Sequence, residues 1–151
     1  MSMSITIQGA DSLREKLKGL SRAVEKRIVG RAAQAALKPL VATARKGVPI
    51  GTGNLKKSIG VKRVRKTRKG EHVLLVGARA GFKWAYGGSE VENDPVRYAN
   101  PVEFGHTTKG GTFVPPAGFL RNAYNQHRVT VVDHFALELE QRIEQYLRRG
   151  A

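Results

Sequence analysis

An α+β fold is what this 151-residue chain predicts, and three patterns carry that reading. Apolar residues recur at steps of three and four near both ends, the spacing of amphipathic helices. Between them lie two β-rich runs joined by a turn, which is a hairpin. Helices grouped on either side of an antiparallel pair, instead of alternating with strands, give the α+β order. The length accommodates one domain over residues 1–151 with a single core. Its parts are a helical region over 12–46, a basic hairpin over about 59–78, an irregular aromatic and Gly/Pro-rich segment over 79–116, and a C-terminal helix over about 117–148.

The alternation in Ser4-Ile5-Thr6-Ile7-Gln8 predicts a short edge strand. Ser12 and Glu15 have capping-box spacing, in which serine hydroxyl and glutamate carboxylate satisfy each other's amides, so a helix should start there. Leu13, Leu17, Leu20, Val24, Ile28, Ala32 and Ala35 then form one apolar face, with Lys16, Arg22, Lys26, Arg27 and Arg31 largely off it. Gly19-Leu20-Ser21 is a candidate break, and Pro39 should kink or end the helix. The small alanines between Ala32 and Ala44 permit close packing on a neighbour.

Gly47 to Gly60 holds a glycine-rich turn, with Thr52 or Asn54 available to cap a short helical turn. Residues Ile59 to Lys66 alternate imperfectly between apolar and basic side chains. Thr67-Arg68-Lys69-Gly70 forms the turn, and the run from His72 to Gly77 is nearly all apolar, giving a hairpin with one basic and one buried strand. In the irregular segment Trp84, Tyr86, Tyr98, Phe104 and Phe113 are candidate anchors. Asn100 is placed to cap one turn with Pro101 at its first position, Phe104 to reach the core, and Gly105 to reverse the chain ahead of a flexible loop. Leu120, Tyr124, His127, Val131, Phe135, Leu139, Ile143 and Tyr146 predict a long final helix, weakened locally by the β-branched run from Val129 to Val132. Glu138, Glu140 and Glu144 make that helix the acidic zone. A basic hairpin and an acidic helix on one chain suit head-to-tail contact between copies.

The formal net charge is +15 and there is no cysteine. Disulfides and thiolate metal sites are therefore excluded, and so much positive charge points to an acidic partner, either nucleic acid or protein. No apolar run is long enough to span a bilayer, and the N-terminus lacks the pattern of a secretion signal, so no membrane contact and assembly in the cytoplasm are expected. Ten Lys or Arg residues and no acid lie between Arg45 and Lys69. Within that stretch Lys62, Arg63, Arg65, Lys66, Arg68 and Lys69 are the candidate contacts to DNA or to an acidic protein surface. Sequence-specific recognition has no signature here.

Catalytic and cofactor readings find less support. Gly51-Thr52-Gly53-Asn54 ahead of Lys56-Lys57 lacks the spacing of a phosphate-binding loop. Glu103 and His106 could form an acid-base pair or part of a metal site, but no second ligand pair has metal-binding spacing, and His127 falls on an apolar stripe. Ser58 and Ser89 have no base beside them in sequence and no nucleophile elbow around them. The residues thus give no catalytic, cofactor-binding or metal-ligating set, and the expectation is a protein that is not an enzyme.

Three blocks carry a resemblance: Pro49, Thr52, Gly53, Leu55, Ser58 and Ile59; Tyr98, Ala99, Glu103, Phe104 and Gly105; and Pro115 or Pro116 with Phe119, Leu120 and Ala123. Together they resemble the neck and tail-completion proteins of long-tailed bacteriophages, which join the head connector to the tail tube. Pro101 inside the second block and a long stretch before it depart from the family pattern. The resemblance implies helices packed on a small antiparallel sheet with a protruding hairpin, and a hexameric or dodecameric ring around the DNA channel. It implies a virion structural role with no catalysis and no cofactor. The implied partners are other copies of the chain, head-closure or connector proteins, tail-tube or tail-terminator proteins, and the double-stranded DNA that passes through. A small basic nucleic-acid-binding protein is the alternative.

Overall fold

The computed structural model describes residues 10–51, 53–64, 72–81 and 94–150. The strand expected at Ser4 to Gln8, the capping role of Thr52, the hairpin tip from Arg65 to Gly70, Trp84, Tyr86 and Ser89 lie outside these residues.

The expected N-terminal helix is three helices: α1 (Ala10–Lys18), α2 (Arg22–Ala36) and α3 (Lys38–Gly47). The first break falls at Gly19-Leu20, where Ser21 takes an extended N-cap conformation at ψ 145°. The second falls at Leu37, one residue earlier than the bond into Pro39 would require, and Pro39 sits in the first turn of α3, where its missing N–H costs no hydrogen bond. Ser12 does not start the first helix. That helix begins at Ala10, with Asp11 in its first turn, where a carboxylate meets the positive end of the helix dipole.

The turn after α3 leads into α4 (Asn54–Ser58), whose N-cap is Gly53 at φ +78°, a left-handed conformation natural to glycine. Asn54 is therefore the first helical residue, and it is buried instead of capping from outside. Strands β1 (Ile59–Arg63) and β2 (Leu74–Ala78) pair antiparallel in the register Ile59 to Ala78 and Lys62 to Leu75. A further bond from Val64 N to Val73 O at 3.0 Å extends the ladder. The strands differ from expectation in burial. β1 starts in the core with Ile59 at 0%, whereas Leu75 on β2 is 54% exposed. An antiparallel pair with one covered face leaves alternate residues facing solvent, apolar or not.

Past the pair, α5 (Pro95–Phe104) replaces the single turn expected at Asn100. Asp94 is the cap, its Oδ1 accepting from Val96 N at 3.2 Å, and Pro95 takes the first helical position. Asn100 and Pro101 are interior to the helix. A small hairpin follows, β3 (His106–Thr107) paired with β4 (Phe113–Val114), where a flexible loop was expected. Its tip is closed by Thr108 N to Thr112 O and Gly111 N to Thr108 O, both at 2.9 Å. The C-terminal helix is likewise divided, into α6 (Phe119–His127) and α7 (Thr130–Gly150), at the start of the β-branched run. Because only two residues interrupt it, the three-and-four spacing continues across the break and disguises it.

Two clusters of buried side chains hold these parts. One joins α3, α4, β1, α5 and α6 through Leu40, Ala44, Val48, Leu55, Ile59, Ala99, Phe119 and Ala123. The other joins α2 to α7 through Ile28, Ala32, Leu139 and Ile143, with Leu13 and Leu17 of α1 beside them. Small residues set the close approaches, as expected from the alanine run. A Cβ on Gly47 would stand 3.2 Å from Cβ of Phe119.

Candidate functional site

The residues of the second motif block converge on one corner. Glu103 is 4% exposed in the last turn of α5. Its Oε2 accepts from Leu120 N at 2.8 Å and its Oε1 from Arg121 N at 2.9 Å, so one carboxylate caps the start of α6 across 17 residues of chain. The backbone reinforces the joint, with Ala117 N donating to Val102 O at 2.9 Å and Gly118 N to Glu103 O at 3.1 Å. Charge, the helix dipole and two amides without intrahelical partners all favour this placement.

Gly105 then turns the chain at φ +80°, ψ 162°. A Cβ there would stand 2.9 Å from Val114 O and 3.0 Å from Pro116 N, so both the conformation and the space demand glycine. Phe104 does not anchor the corner in the core. It is 61% exposed, and the guanidinium of Arg121 lies 5.7 Å from its ring centroid. With Glu103 turned inward to meet α6, the next residue on the helix points outward.

Phe119 is fully buried and Leu120 half-buried against the same core, and Tyr98 also packs there. In the first block Leu55 is buried, and Ser58 is buried with its Oγ donating to Leu55 O at 2.8 Å. That bond explains Ser58 as a helix-terminal residue and not as a nucleophile. Glu103 and His106 do not form an acid-base pair in this arrangement. Both carboxylate oxygens are engaged by amides, while His106 is exposed and donates from Nδ1 to Pro101 O at 3.3 Å. His127 is part-buried, its Nε2 lying 2.7 Å from Oγ1 of Thr43, in keeping with a satisfied core histidine. Among the described residues no group of three or more His, Asp or Glu could hold a metal ion.

The basic residues divide into two kinds. Lys46, Lys56, Lys57 and Lys62 are exposed. Arg45 instead donates from Nε and Nη2 to Ile59 O at 3.0 and 2.8 Å, tying α3 to the start of β1. Arg63 also turns inward. Its guanidinium lies over Gly30 of α2, 2.9 Å from where a Cβ would stand, and Nη2 donates to His72 Nδ1 at 2.9 Å. His72 is held below the ordinary imidazole pKa, first by burial, then by the charges of Arg63 and Lys26, against an opposing pull from Glu25. Arg65, Lys66, Arg68 and Lys69 are outside the described residues. The supposed acidic zone of α7 is partly neutralised within the helix, since Glu138 pairs with Arg142 at 3.0 Å and Glu144 approaches Arg148 at 4.0 Å.

Two surface features were missed by sequence reasoning. A largely apolar groove of about 410 Å³ is lined by Leu37, Leu40, Val76, Leu120, Tyr124 and Val131, among others, and draws on α3, β2, α6 and α7. Leu120, Tyr124 and Val131 lie on the apolar stripe expected for the C-terminal helix, and nothing in their spacing distinguishes a covered face from an open one. Near it in composition, though on another part of the fold, the β3–β4 hairpin leaves Phe113 65% exposed. The second feature is a cavity of about 110 Å³ between α2 and α7, walled by arginines.

Comparison with known proteins gives a family match. The model of the family described as "Bacteriophage HK97-gp10, putative tail-component" matches residues 11–105, well over half of the chain, from α1 through the Glu103 corner. No curated protein and no solved structure matches.

Proposed function

The chain belongs to the HK97-gp10-like family of bacteriophage tail components, and from that premise we propose that it is a ring-forming head-tail connector, a neck or tail-completion subunit that joins the head connector to the tail tube around the DNA channel. In this reading the protein acts by shape and charge, without catalysis, in the virion, after assembly in the host cytoplasm. Its partners are other copies of itself, the head-closure or connector protein, the tail-tube or tail-terminator protein, and the double-stranded DNA in the channel.

The observation that carries the proposal beyond the family is the amount of surface ready for neighbours. The Glu103 joint fixes a corner from which Phe104 and the β3–β4 hairpin with Phe113 project into solvent, and an open apolar groove lies along α3 and α6. Exposed apolar side chains and an open apolar groove on a strongly charged chain fit a subunit that is covered on assembly. The exposed Lys62, with Arg65, Lys66, Arg68 and Lys69 beyond it, is the proposed contact to DNA or to the acidic face of an adjoining ring. Arg63 is left out of that set, because its guanidinium is spent on α2 and His72.

The test is a phage carrying Lys62, Arg65, Lys66, Arg68 and Lys69 all changed to Ser. Electron microscopy should show full heads and separate tails in place of joined particles. Joined, infectious particles at normal yield would remove the proposal. The alternative, a small basic nucleic-acid-binding protein, rests on the net charge of +15. It requires that the isolated protein stay monomeric or dimeric and bind DNA with steep salt dependence, a pattern that a ring at the head-tail joint would contradict.

A further inference from the structure

The cavity between α2 and α7 is lined by Arg27 and Arg31 from one helix and by Arg142, Gln145, Tyr146 and Arg149 from the other, over a floor that includes the buried Ile28. Arg27 and Arg31 are one turn apart, and Arg142 and Arg149 two turns apart, so each pair shares a helix face and the two faces meet across the opening. Four arginines thus line about 110 Å³. Glu138 pairs with one of them, Arg142 through Nη2. The Nε of the same arginine is buried and has no hydrogen-bond partner among the described residues. No bond or ion pair to a described residue involves Arg27, Arg31 or Arg149. Like charges gathered along the main seam of a helix pair work against its stability, and a buried donor without an acceptor costs more. An anion seated in the cavity would reverse both effects.

We propose that this arginine-walled cavity is a binding site for a phosphate group. A carboxylate presents two oxygens in a plane and is satisfied by one guanidinium fork. Arginines carried on two opposed helices can offer donors from both sides, which suits the tetrahedral array of oxygens on phosphate better, and the excess of positive charge around the cavity suits its charge. The phosphate can come from free phosphate or from the backbone of nucleic acid, and the chemistry of recognition is the same. The site lies on α2 and α7, away from the β1–β2 hairpin, and does not depend on the ring reading.

The experiment uses the full chain and the double variant Arg31→Gln with Arg149→Gln, both exposed positions. Inorganic phosphate, a double-stranded oligonucleotide and polyglutamate are titrated at matched ionic strength, with affinity read by calorimetry and protection by thermal unfolding. The site predicts that phosphate stabilises the native chain, and that the variant binds it about tenfold or more weakly, the equivalent of losing at least one charge-assisted contact. Without phosphate the variant should melt no lower than the native chain, since repulsion has been removed. A parallel loss of duplex binding identifies backbone phosphate as the source, and a loss confined to inorganic phosphate identifies the free anion. The proposal is overturned if phosphate and duplex bind the variant as well as the native chain, or if polyglutamate alone loses affinity, which would mark a carboxylate-bearing protein partner instead. Because the readout is binding by the isolated chain, failure here leaves the head-joining phenotype of the hairpin variant untouched.

Discussion

A carboxylate as buried as that of Glu103 needs donors for its oxygens. The amides that answer it belong to Leu120 and Arg121, at 2.8 and 2.9 Å, too far along the chain for any local pattern to name them. Replacing it by Ala strands two part-buried amides and removes an ionic cap, so Glu103→Ala should destabilise the chain by about 1–2 kcal/mol in urea unfolding, with Glu103→Gln in between. A loss under about 0.5 kcal/mol for the alanine variant would mean that the cap is dispensable. Phe104, read from sequence as a core anchor, is predicted to behave in the opposite way. At 61% exposure Phe104→Ala should change stability by about 0.5 kcal/mol or less, and its cost should appear only in assembly. Gly105 combines a glycine-only conformation with a blocked Cβ position, and Gly105→Ala should therefore cost about 1–3 kcal/mol although it adds a single methyl group.

At the scale of elements, the legible parts were those whose signals are local. Gly19-Leu20-Ser21 breaks α1 from α2, and the β-rich runs pair where expected, because each depends on neighbouring residues. The helix from Pro95 was missed although Asp94-Pro95 is a cap followed by a first-turn proline, since Asn100-Pro101 offers the same signal six residues later. Only tertiary packing decides between them, by burying Ala99 and Glu103 on one face. Where the hairpin meets α2 the structure makes a pH-dependent joint. Arg63 can donate only to a neutral His72, and that imidazole titrates below its ordinary value in the folded chain, for reasons led by burial. The unfolded chain therefore takes up this proton first as pH falls, so stability contributed here is complete above about pH 6.5 and is lost progressively below it. Hydrogen exchange at Val64 and Leu74 should accelerate as pH is lowered through this range, after correction for intrinsic rates. In His72→Gln the acceleration should be absent, and its persistence there would assign it to another group.

For the molecule as a whole, one core was expected, and the described residues form two buried clusters, one around Phe119 and one around Ile143. Composition could not separate them, because the C-terminal stripe that carries Leu139 and Ile143 of one cluster also carries Leu120 and Val131, which pack on the other. The chain crosses between the clusters twice, once at the helix break at Leu37 and once just past the break at Arg128-Val129, where Val131 of α7 still packs on the first cluster and Phe135 on the second. A helix break transmits less rigidity than a continuous helix, so the α2–α7 pair is able to open as a unit while the α3–α6 cluster stays closed. Ile143 is fully buried, and Ile143→Ala should cost about 2–5 kcal/mol by cavity formation. Native-state hydrogen exchange should then show faster exchange along α2 and α7, with protection in α5, α6 and β1 unchanged until global unfolding. Phe119→Ala should produce the reverse distribution. Uniform loss of protection in either variant would mean that the two clusters behave as one cooperative core, and that the breaks at Leu37 and Arg128-Val129 are bends only. If they do open separately, phosphate bound between Arg31 and Arg149 should slow exchange in α2 and α7 alone, because it braces only the cluster that those helices share.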